Sequence, residues 1–172
     1  MSKNFDAEKA VESILYIAKR VEEPTFHKIS KILYFADQIH VVKYGSFILD
    51  DEYVAMRNGP VPSATYDILK YVRGDRSVCY AEHAKSVITV KHRFSVHVSR
   101  DADLNEFSES DIECLDQSIR DNGKLDFNQL TRKSHDAIYN SAQEDEFIPN
   151  EAFAELSDEP DSLKEHLADP TF

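Results

Sequence analysis

Tryptophan is missing from this 172-residue sequence, and glycine (four), proline (six) and cysteine (two) are scarce. So little glycine and proline excludes a collagen-like chain or a long flexible linker and points to one well-packed domain. The longest apolar stretches run from Ile14 to Ala18 and from Ile32 to Ala36, far short of the roughly 20 residues a membrane helix needs. Asp6, Glu8 and Glu12 stand where a secretory signal would be apolar and uncharged, so the expected compartment is the cytoplasm. Cys79 and Cys114 are widely separated in sequence. They are expected to be buried, reduced and inert, rather than a disulfide or a reactive thiol.

Basic charge is also short, and unevenly so. The net charge is −12. Residues 1–140 hold 22 acidic against 19 basic side chains, whereas residues 141–172 hold ten acids against Lys164 alone. A phosphate backbone is bound through clustered Lys and Arg, so nucleic acid is not an expected partner. The acidic end can be a solvated face, or it can draw in a basic protein surface and speed encounter.

What is present is helical periodicity. Ala7, Ala10, Val11, Ile14, Leu15, Ala18 and Val21 recur at helical spacing over 6–21, with Asp6 as N-cap and Glu22-Glu23-Pro24 as the stop. Thr25 caps a second helix running to about Tyr44, with Gly45 at its C-terminus. That helix is apolar over more than one stripe, which predicts a central, buried element. A short strand follows at 53–57. Asn58-Gly59-Pro60-Val61-Pro62 reads as a rigid turn, and Ser63 caps a third helix ending at Gly74.

Residues 86–99 alternate as a hairpin or one kinked strand. Ser108 and Asp111 resemble a capping box opening a helix to Asn122-Gly123, and Asp126 caps a shorter one through about Lys133. Residues 134–172 read as helical turns broken by Pro149, Pro160 and Pro170. The expected fold is mainly α with a small antiparallel β element (α+β), a compact single-domain helical platform.

Chemistry-bearing motifs are few. Neither a phosphate loop nor a glycine-rich dinucleotide fingerprint occurs, and there is no His-Glu-x-x-His or Cys-x-x-Cys. No metal is expected. The helix start at Ser63 could hold an anion, or Ser63 could cap it. Tyr34, Asp37 and His40 lie close to one face of the second helix. They read as a buried hydrogen-bond network, a recognition strip or an acid–base pair. Ser134-His135-Asp136 cannot be a triad by itself, since neighbours on a helix point about 100° apart.

A resemblance rests on three blocks. Lys31-Ile32-Leu33-Tyr34-Phe35-Ala36-Asp37, His40 and Tyr44-Gly45 form the first. The second is Asp51-Glu52-Tyr53-Val54-Ala55-Met56, Asn58-Gly59-Pro60-Val61-Pro62-Ser63 and Tyr66-Asp67; the third is Leu130-Thr131 with Ser134-His135-Asp136-Ala137. In this order they resemble the Panacea domain of SocA-like antitoxins. The family commonly has a tryptophan after the histidine block, where Tyr139 is the nearest aromatic here. The resemblance implies a domain over 1–156, followed by an acidic tail at 157–172.

It also implies an antitoxin, with no catalytic activity and no cofactor, that neutralises a cognate toxin protein by direct contact. The expected contact residues are Tyr34, Asp37, His40, Asn58, Gly59, Pro60, Tyr66 and His135, all taken to be exposed. Three alternatives stay open: an adaptor that delivers the toxin to a cytoplasmic protease, an enzyme acting through Tyr34, Asp37 and His40, and a transcription repressor, which would need a basic surface that the sequence does not advertise.

Overall fold

The computed structural model describes residues 2–168; the last part of the acidic stretch, 169–172, with the break expected at Pro170, lies outside the described residues. Helix α1 (Ala7–Ala18) starts where Asp6 accepts the Lys9 amide (3.0 Å). Helix α2 (Phe26–Tyr44) starts where Thr25 Oγ1 accepts the Lys28 amide (3.1 Å), and it ends at Gly45 with φ +72°. As its all-round apolar character predicts, α2 runs through the middle. Ile29, Ile32, Leu33 and Ala36 pack with α1 into one apolar cluster, and Tyr34, Phe35 and Val41 belong to another.

The stretch expected to be a turn at 58–62 is instead half of a hairpin. β1 (Tyr53–Met56) pairs antiparallel with β2 (Gly59–Pro62), with Ala55 opposite Pro60 and Tyr53 opposite Pro62. Two prolines fit a ladder only where no N–H is wanted. Tyr53 and Ala55 turn their backbone groups the other way: Ala55 N donates to Glu146 O (2.9 Å), Asp145 N to Ala55 O (2.7 Å) and Ile148 N to Tyr53 O (2.8 Å). Their opposite numbers on β2 are thus non-hydrogen-bonded positions, and proline is tolerated there.

Helix α3 (Ser63–Arg73) follows at once. Ser63 is its first residue, not its cap. Asp51 caps it from before the hairpin, accepting from Ala64 N (2.9 Å), Thr65 N (2.8 Å) and Thr65 Oγ1 (2.8 Å). The N–H groups that could have held an external anion are occupied by this internal one.

A short helix α4 (Ala84–Val87) leads into the second hairpin, β3 (Ile88–Lys91) with β4 (Ser95–Val98). His92 and Arg93, both at positive φ, make the turn, so the alternating stretch is a hairpin and not one kinked strand. β4 is stitched to the α1–α2 linker by Val96 N to Pro24 O (2.8 Å) and Phe26 N to Phe94 O (3.1 Å). Helix α5 (Glu109–Asn122) has the capping box expected at Ser108 and Asp111, and α6 (Phe127–Ser134) has one from Asp126 and Gln129. Cys114 is buried in α5 as expected; Cys79, expected buried, is exposed.

The acidic C-terminal region is packed against the body. Phe153 is fully buried, and Pro160, expected as a breaker, opens α7 (Pro160–Ala168), whose Leu163 and Leu167 pack on the second cluster.

Candidate partner-binding cleft

The polar residues of α2 do not form one site. Tyr34 OH donates to Asp136 Oδ1 (2.7 Å), and Gln38 and the Tyr139 amide converge on the same carboxylate. Asp37 accepts from Ile48 N (2.7 Å) and Tyr53 OH (2.6 Å). His40 Nδ1 donates to Ser46 O (2.6 Å). These are separate ties: Tyr34 holds α2 to the segment after α6, while Asp37 and His40 hold it to residues 46–53.

The expectation that Tyr34, Asp37 and His40 are exposed is corrected: they are 0%, 1% and 4% exposed, because the faces of α2 that carry them are packed against other elements. Burial pushes the Asp37 carboxyl up to about 7, against the two bonds that favour its charge. Gly59 and Pro60 are likewise buried, whereas Asn58 and His135 are exposed and Tyr66 is half-buried. His135 caps the end of α6 and stacks on Tyr139 at 4.3 Å.

Asn58, Gly59 and Tyr66 do come together. They line a cleft of about 490 Å³ with Thr25, Phe26, His27, Lys31, Met56, Arg57, Val61, Phe94 and Phe127. Its walls are aromatic. Phe26 meets Tyr66 and Phe94 edge-on (5.7 and 5.6 Å), and Phe127 stacks on His27 (4.1 Å). On its rim Phe94 and Phe127 are 41% and 50% exposed.

Sequence reasoning missed Phe94 and Phe127, which β4 and α6 bring together from distant parts of the chain. It quoted Lys31 only as part of a motif. The available signal was a lysine inside an apolar helical run, and fully buried lysines are rare. Its Nζ donates to Pro60 O (2.8 Å).

Burial pushes His27 down to about 4, helped by the Lys31 charge and opposed by a hydrogen bond involving the Asn58 backbone. Burial likewise pushes the Lys31 amine down to about 7 from the usual 10.5. Between those two values the unfolded chain holds a proton that the folded chain has released. Stability is therefore gained as pH rises through the window and lost as pH falls toward 7. From pH 7 to 8.5 the Lys31 contribution is about 1–2 kcal/mol. Urea unfolding at both pH values checks this: the rise belongs to the native chain and disappears in Lys31→Met. Equal slopes in both proteins would assign it to other groups.

Among the described residues no helix is long and apolar enough to cross a membrane, and no cluster of three or more His, Cys, Asp or Glu is placed to hold a metal. No curated protein and no solved structure matches the chain significantly. Residues 29–138, well over half the sequence and the part that builds most of the cleft, match the family described as antitoxin SocA-like, Panacea domain, and the chain belongs to that family.

Proposed function

We propose that this antitoxin-family member neutralises a cognate toxin by docking on it through the cleft face, in a stoichiometric complex without turnover. The observation that carries the reading is the pair of exposed phenylalanine rings, Phe94 and Phe127, on the rim of an aromatic-walled cleft. Aromatic groups of this kind are the usual anchors of protein interfaces, and covering them releases water from apolar surface. The frame beneath is stiff, since α2 is tied on several sides by buried hydrogen bonds. A standard interface covers about 800 Å² per partner, under a tenth of the 9097 Å² this molecule exposes. The acidic side chains Glu144, Asp145 and Glu146 are exposed and would steer a basic toxin toward the molecule.

Phe127 is the first residue of α6, where an added acid suits the helix dipole. Phe127→Glu and Phe94→Gln are each expected to weaken toxin binding at least about tenfold, with unfolding free energy within about 1 kcal/mol of the native chain. Calorimetric titration with the product of the adjacent reading frame, alongside urea unfolding, measures both. Native affinity in both variants would place the docking face elsewhere.

A further inference from the structure

The cleft has the opposite charge bias to the protein around it. The chain carries 32 acidic and 20 basic side chains, yet no Asp or Glu lines the cleft, while Lys31 underlies it and Arg57 stands exposed at its edge. Among the described residues neither cation has a carboxylate within ion-pair distance. The acceptor on Lys31 is a neutral carbonyl, that of Pro60. Burial brings the Lys31 amine down to about 7, so the standing cation of the cleft is Arg57, and an anion meeting an unpaired guanidinium beside an apolar wall is bound more strongly than it would be in open water. Apart from Thr25 and Asn58, which are polar and uncharged, the rest of the lining, including Phe26, Met56, Val61, Tyr66, Phe94 and Phe127, is apolar or aromatic. A volume of about 490 Å³ lies within the range of preformed sites for small organic groups.

We infer that the cleft receives an aromatic or aliphatic group bearing a carboxylate, presented by an acidic or chain-terminal residue of the toxin. The inference rests on the direct-contact reading above and gives it a chemistry. The apolar part of the group covers the rings, and its charge faces Arg57. Specificity follows from the pairing. An uncharged aromatic leaves Arg57 without a counter-charge, and a bare anion leaves the rings wet.

The test needs no toxin. The full ¹⁵N-labelled chain is titrated with N-acetylphenylalanine, with N-acetylphenylalaninamide and with adenosine monophosphate, and the Asn58 and Gly59 amide resonances are followed. The acid is expected to shift them saturably and to bind about tenfold more tightly than the uncharged amide, as one charge-assisted contact would give. Arg57→Gln is expected to bring the acid down to the level of the amide and leave the amide unchanged.

Equal binding of acid and amide, no binding of either, or tighter binding of the nucleotide than of the acid would each overturn the assignment. None of these outcomes bears on whether the chain silences its toxin one to one. Conversely, a failure of that reading would not alter these titrations.

Discussion

Gly59→Ala is expected to cost about 3–5 kcal/mol, far more than one methyl group on a hairpin normally would. Gly59 sits at φ +98°, which side-chain-bearing residues rarely adopt, and its missing Cβ position is already taken. An added methyl would collide with Ser134 Oγ and lie 2.8 Å from Lys31 Cε. Neither neighbour can retreat freely, because Ser134 and Lys31 are fully buried and Lys31 is held by Pro60 O. Gly74 provides the control. It has φ +100° and open space where a Cβ would go, so Gly74→Ala is expected to carry only the conformational cost, about 1–2 kcal/mol. Urea unfolding of both variants separates the two effects, and equal losses would show that the close approach of β2 to α2 and α6 does not constrain position 59.

Asp51→Ala is expected to cost a similar 3–5 kcal/mol. Asp51 is 2% exposed and its carboxylate satisfies the first free amides of α3 as well as the Thr65 hydroxyl. Removing it leaves buried donors without acceptors at a helix start, and each costs about 1–3 kcal/mol. Asp51→Asn, which keeps one acceptor oxygen, should lose roughly half as much. Ser63→Ala, at the residue that the sequence pattern presents as the cap, should stay within about 0.5 kcal/mol of the native chain. If Ser63→Ala proved the more damaging in thermal or urea unfolding, the capping assignment would be reversed. The consequence reaches the cleft, because Asp51 ties α3, which carries Tyr66, to the hairpin that carries Asn58 and Gly59.

These two residues also mark where the sequence stops being readable. The starts of α1, α2, α5 and α6 are written locally, in Asp6, Thr25, Ser108 and Asp126, because a cap and its amides lie within three residues of one another. The cap of α3 comes from 13 residues upstream of Ala64, so no local pattern could name it. Pro60 and Pro62 look like turn residues until residues 145–148 are seen on the far side of β1, which decides which positions on β2 need no donor. Tyr34, Asp37 and His40 read correctly as polar residues near one face. Their burial depends on distant partners: Asp136 and Phe153 close over Tyr34, Ile48 and Tyr53 over Asp37, and Ser46 with Ser110 of α5 over His40. The cleft was half legible: Asn58, Gly59 and Tyr66 stand in recognisable motifs, whereas Phe94 and Phe127 are isolated aromatics that only the β4 stitch and α6 bring to one rim.

A titration of purified toxin activity against this chain, with no protease present, tests the mechanism most directly. Silencing by coverage predicts residual activity falling linearly to zero at one equivalent, with the end point displaced to large excess for Phe127→Glu. Complete loss of toxin activity at a small fraction of an equivalent, or a native end point for that variant, would contradict it.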